Sequence, residues 1–113
     1  MATVRLEYQN GAVYVGEARD GSPHGKGKVI FPSGYTYEGN WVDGKQHGNG
    51  KCTYESGNSY EGEYENGSPH GKGKLVCANG DSYEGEFKNG KKHGTGTSIS
   101  AEGKKVYGAW AYD

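Results

Sequence analysis

Four histidines, His24, His47, His70 and His93, recur 23 residues apart, and the chain carries two cysteines, Cys52 and Cys77. Imidazole and thiol are metal ligands, bases and nucleophiles, so their surroundings come first. His47-Gly-Asn-Gly50 and His70-Gly-Lys-Gly73 have the glycine density of a phosphate-cradling loop. The chain nevertheless holds no Gly-x-x-x-x-Gly-Lys-Ser/Thr, and no helix is predicted to follow and supply a dipole. A nucleophilic cysteine needs an activating base beside it. Cys52 and Cys77 align with Val29 and Phe31 one and two 23-residue steps back, which predicts inert packing rather than catalysis. No catalytic residue, metal site or cofactor is predicted, and the chain reads as non-enzymatic.

Composition restricts what can position any site. Leu, Ile, Val and Phe supply only about 12% of the 113 residues, below the roughly 20% at which disorder becomes the default. Disorder usually accompanies high net charge, yet 13 Lys and Arg offset 14 Asp and Glu to leave −1. Near-neutrality argues against a dedicated nucleic-acid binder. No run approaches the ~20 apolar residues of a membrane span, and the first residues show no secretory core, so a cytoplasmic chain with reduced thiols is expected.

Glycine provides the order. All 22 glycines fall into five columns spaced by 23 residues, among them Gly16/39/62/85/108 and Gly27/50/73/96. Tyr14, Tyr37, Tyr60 and Tyr83 form another column, followed four residues on by Ala18, Trp41, Tyr64, Phe87 and Trp110. The chain is a tandem array whose neighbouring units bury each other's faces. Tyr37, Gly39 and Trp41 alternate with Glu38 and Asn40, the period of a strand with one buried face. Asp20-Gly21, Asp43-Gly44, Asn66-Gly67 and Asn89-Gly90 supply a hairpin turn in every unit.

Each unit is therefore a β-hairpin, and parity sets its register. An even turn at Asp43-Gly44 places Tyr37 opposite Gly50 and Gly39 opposite Gly48, with rings over bare glycine backbone. The Ser56-Gly57 connection must then be odd, of three or five residues with a left-handed glycine, to return Tyr60 to the same face. The predicted fold is all-β: an elongated, single-layer twisted antiparallel sheet of about ten strands, roughly 45 Å long at ~4.8 Å per strand, with no helix. It is divided into an N-terminal half unit (1–13), four full units (14–36, 37–59, 60–82, 83–105) and a C-terminal half unit (106–113).

The pattern Tyr-Glu-Gly-x-Trp/Tyr/Phe-x-Asn/Asp-Gly-x-x-His-Gly-x-Gly at this spacing resembles the MORN repeat family over essentially the whole chain. The resemblance implies a scaffold that binds partner proteins, associates with cytoskeletal or membrane-contact structures and self-associates. Such modules accompany phosphoinositide kinases and a histone methyltransferase, where the catalytic domains are separate. The ends depart from the pattern at Ala18 and at Val106-Tyr107.

Two surfaces become candidate sites. Tyr14, Tyr37, Trp41, Tyr60, Tyr64, Tyr83, Phe87 and Trp110 line the aromatic, glycine-rich face, suited to capturing a peptide or helix with large contact area. On the opposite face Lys28, Lys51 and Lys74 form one row and Lys26 and Lys72 another, able to meet anionic lipid headgroups. Glu38, Glu61 and Glu84 share that face and offset it. There too, Glu17, Glu63 and Glu86 are expected opposite His24, His70 and His93, and Asn40 opposite His47. Successive histidines would lie roughly 9.6 Å apart, too far to share a metal. The favoured function is protein interaction through the aromatic face; the alternatives are a phosphoinositide-associated tether or the regulatory module of a lipid kinase. Two open edge strands add the prospect of a homodimer.

Overall fold

The computed structural model describes residues 3–111, with side chains described through residue 109. Ten antiparallel strands form one open sheet in chain order: β1 (Thr3–Glu7), β2 (Val13–Arg19), β3 (Ser22–Ile30), β4 (Thr36–Val42), β5 (Lys45–Thr53), β6 (Ser59–Glu65), β7 (Ser68–Val76), β8 (Ser82–Lys88), β9 (Lys91–Ile99) and β10 (Lys105–Ala111). No helix occurs among the described residues, so none is long and apolar enough to cross a membrane. The longest dimension is 45 Å, as strand spacing alone predicts.

Two kinds of turn alternate. At Asp43-Gly44 both residues have positive φ, 48° and 82°, as they do at Asp20-Gly21, Asn66-Gly67 and Asn89-Gly90. This is the primed hairpin turn, whose twist matches that of its strands. Between Ile30 and Thr36, which pair, five residues intervene; Phe31 N–H donates to the Tyr35 carbonyl at 2.9 Å, and Gly34 takes the left-handed position at φ 102°. Even and odd connections together return every tyrosine of the 23-residue column to one face.

The register differs from the even-turn expectation in one respect. Tyr37 lies opposite Cys52 and Gly39 opposite Gly50, whereas Trp41 pairs with Gln46 and Val42 with Lys45. A bulge separates the two stretches: Asn40 alone faces His47, Gly48 and Asn49. Its counterparts sit at Glu17, Glu63 and Glu86. Gly48, at φ 79°, supplies the left-handed step such a bulge requires. Tyr37 still lies over Gly50, but diagonally, and a Cβ there would strike the ring.

Those rings are the core. Tyr14 and Trp41 meet edge to face at 5.3 Å, and the contact passes on through Tyr37, Tyr64, Tyr60, Phe87 and Tyr83 at 4.8–5.2 Å. Each second-column ring sits between the tyrosine of its own unit and that of the unit before. Each such contact adds about 0.5–1.5 kcal/mol beyond area burial. A single layer thereby buries its side chains without a second sheet: the four column tyrosines are 0–1% exposed.

Candidate functional site

The aromatic side is built on the bulge. Tyr37 Oη donates to the Asn40 carbonyl at 2.7 Å, Tyr60 Oη to Glu63 at 2.9 Å and Tyr83 Oη to Glu86 at 3.0 Å; Tyr14 Oη donates likewise to Glu17. The hydroxyl satisfies a carbonyl that the interrupted ladder leaves over. Composition held a signal for this: the first column is tyrosine in all four full units, whereas the second is Ala18, Trp41, Tyr64 or Phe87. The first column repeats one polar partner in every unit; in the second, Trp41 Nε1 donates to the Gly27 carbonyl at 3.0 Å, while the Tyr64 hydroxyl is buried without a partner.

Burial raises the phenol pKa of all four column tyrosines and of Tyr35, Tyr54 and Tyr64. Tyr60 is pushed up to about 12, first by desolvation and then by the charge of Glu63. Cys52, 1% exposed, sits opposite Tyr37 and Tyr60, and its thiol adds to the rise at Tyr54 and Tyr64. Cys77 is partly exposed in the loop after β7.

Of the residues expected to meet a partner, Tyr37, Tyr60, Tyr64 and Phe87 are wrapped within the ladder, 0–5% exposed. Tyr14 and Trp41 are buried as well, yet they form walls of an open apolar pocket of about 270 Å³ at the β1–β3 end. Tyr83 borders a second pocket of about 250 Å³, where Leu75, Ile99 and Val106 line it together with Asp81, Lys92 and Lys104. Trp110 lies in β10, its backbone opposite Gly94 and its side chain outside the described residues.

On the other face the expected Glu–His pairs do not form. The bulge moves each histidine out of register, and the acidic side chain turns into the bulge to accept a backbone amide. Glu17 Oε1 accepts from Lys26 N–H at 2.8 Å and Glu63 Oε1 from Lys72 N–H at 2.7 Å, while Glu86 Oε1 accepts from the Thr95 hydroxyl at 3.0 Å. His24 Nδ1 instead accepts the Asp43 N–H at 3.2 Å, which makes that nitrogen an acceptor and leaves the carboxylate 3.6 Å away as a neighbour only. His70 lies 3.7 Å from Glu65, His47 is exposed, and His93 Nδ1 is buried without a partner. Among the described residues no cluster of histidine, cysteine or acidic side chains could hold a metal ion.

The lysine rows are present but interleaved with acid. Lys28 opposes Glu38, Lys51 opposes both Glu38 and Glu61, and Lys74 opposes both Glu61 and Glu84. In the second row Lys26 opposes Asn40 and Lys72 opposes Glu86. Shallow grooves of about 580 and 590 Å³ run over the glycine backbone between the rows.

The sequence matches the MORN repeat family at residues 14–34, 37–59, 60–82 and 83–105, most of the chain. The chain belongs to the MORN repeat family. A comparison with curated proteins finds no match. MORN repeats are interaction modules, consistent with the single-layer, open-faced sheet seen here.

Proposed function

We propose that this MORN array is a non-enzymatic protein-interaction scaffold that engages a partner peptide or helix on its aromatic side. The observation that carries the reading is the division of labour along that side. The middle of the ring ladder is packed shut, while at the β1–β3 end the same ladder opens into a pocket walled by Tyr14 and Trp41. A preformed apolar pocket takes up a partner side chain without the cost of ordering its walls. The opposite face offers alternating charges whose neighbours already compensate them, a weaker basis for either a peptide or a lipid surface.

Site-specific photocrosslinking tests the sidedness. Benzoylphenylalanine replacing the half-exposed Tyr8, on the aromatic side, should capture a partner that the same probe replacing Lys51, on the charged face, does not. Capture from position 51 alone would overturn the reading.

A further inference from the structure

The pocket at the β1–β3 end has an internal counterpart, and the counterpart is filled. Tyr35 leaves the loop before β4, its ring 5.6 Å from Phe31 and 5.7 Å from Tyr54, and Gln46 Nε2 donates to its hydroxyl at 3.1 Å. Stepping back 23 residues gives the equivalent positions of the first unit. Phe31 becomes Tyr8, Tyr54 becomes Phe31, Cys52 becomes Val29, Tyr64 becomes Trp41, Tyr37 becomes Tyr14 and Gln46 becomes Pro23. All six line the 270 Å³ pocket. Tyr35 itself becomes Ala12.

The two loops have the same build: Tyr8 N–H donates to the Ala12 carbonyl and Phe31 N–H to the Tyr35 carbonyl, both at 2.9 Å. The first unit thus keeps the walls of an aromatic seat and lacks the ring that fills it. In the units at 37–59 and 60–82 the position is Asn58 or Asp81, whose side-chain oxygens accept the amides of Ala78 and Ala101 in the following loop, a different use of the same place.

We propose that the seat in front of Ala12 binds one phenylalanine side chain of a partner segment. Its size is set by the ring that Tyr35 places in the equivalent seat. Its chemistry follows from two replacements. Among the described residues no charged side chain lines the pocket, so a charged occupant would lose hydration without compensation. Pro23 stands where Gln46 donates to the Tyr35 hydroxyl, so a tyrosine would forgo the hydrogen bond that Tyr35 has in its own seat, whereas a phenylalanine needs none. The biological use of the seat rests on the interaction reading above; its occupancy by a ring does not.

The test titrates the full chain with N-acetyl-phenylalaninamide and N-acetyl-tyrosinamide while following the backbone amides of Ala12 and Gly44 by NMR. Saturable shifts are expected, with the phenylalanine probe binding roughly threefold or more tighter. Ala12→Tyr should fill the seat from within, raise Tm and abolish the shifts. Independently, Tyr35→Ala should open a second seat, beside Gln46, that prefers the tyrosine probe. Absence of saturable shifts, shifts that persist in folded Ala12→Tyr, or a tyrosine preference at the Ala12 seat would overturn the assignment. Shifts that behave as expected, alongside partner crosslinks only from position 51, would retain the seat and remove the reading that the partner docks on the aromatic side.

Discussion

Tyr60 shows how each column tyrosine is used: ring over Gly73, edges against Tyr64 and Phe87, hydroxyl on the Glu63 carbonyl. Its phenol stays protonated to about 12 in the folded chain, whereas an unfolded tyrosine ionises near 10. The folded state therefore holds the proton more tightly, and its stabilisation is full below about pH 10. Between about 10 and 12 the unfolded chain releases protons that the folded chain keeps, so stability falls as pH rises. Tyr14, Tyr37 and Tyr83 are shifted in the same direction and add to the slope. Alkaline titration that follows the ring signals of Tyr14, Tyr37, Tyr60 and Tyr83 one by one in NMR spectra, alongside circular dichroism, should show their ionisation and unfolding together above pH 10; ionisation of these four in a still folded sheet near pH 10 would contradict the burial of their hydroxyls, whereas the exposed Tyr8 and Tyr107 do not bear on it. The identity of these residues was legible from their spacing, because a period of 23 with Tyr, Gly and a second aromatic fixes which side chains share a face. Their hydrogen bonds were legible only as a hint, tyrosine at all four first-column positions, because the carbonyl each one meets is freed by a register slip, and the glycine column that includes Gly48 does not by itself announce that slip.

At the scale of the hairpin, the turns are sequence-encoded. Asn66 adopts φ 49° and Gly67 φ 88°, and Gly67 N–H donates to the Gln46 carbonyl of the preceding hairpin at 2.9 Å. A β-branched residue at Asn66 must adopt a left-handed conformation that costs roughly 1–2 kcal/mol. Asn66→Val should lower stability by about that amount, and Asn66→Asp, already tolerated at Asp43, should be nearly neutral; chemical denaturation of the two variants checks this. The even turns and odd loops could be read from Asn/Asp-Gly and Ser-Gly spacing. The register beyond the turn could not: an uninterrupted ladder from Asp43-Gly44 puts Tyr37 on Gly50, and the actual pairing with Cys52 needs three residues against Asn40. Local turn chemistry fixes parity but leaves open where a ladder slips by two.

Across the whole molecule, sign alternation decides what the charged face can do. Along one row, Lys28, Glu38, Lys51, Glu61, Lys74 and Glu84 occupy successive strands, so each interior lysine stands between two glutamates. Adjacent opposite charges cancel within a Debye length, about 8 Å at physiological salt, and leave little field to attract an anionic bilayer. Co-sedimentation with phosphatidylserine vesicles should match that with neutral vesicles at physiological salt; salt-sensitive binding reduced by Lys51→Glu would revive the tether reading. The edge strands β1 and β10 belong to this scale too: among the described residues each pairs on one side only, and Val106 and Tyr107 on β10 are 55% and 76% exposed.

The 23-residue spacing by itself determined the ten-strand hairpin array, its length and the side on which its rings lie, because glycine columns and turn dipeptides act through nearest neighbours along the chain. Only the tertiary structure decided which of those rings are spent on one another and where a seat stays open. That depends on volumes meeting across separate elements: Ala12 differs from Tyr35 by one ring, and whether its absence leaves a collapsed wall or a pocket is settled by Val29, Phe31 and Trp41 arriving from β3, the loop after it and β4.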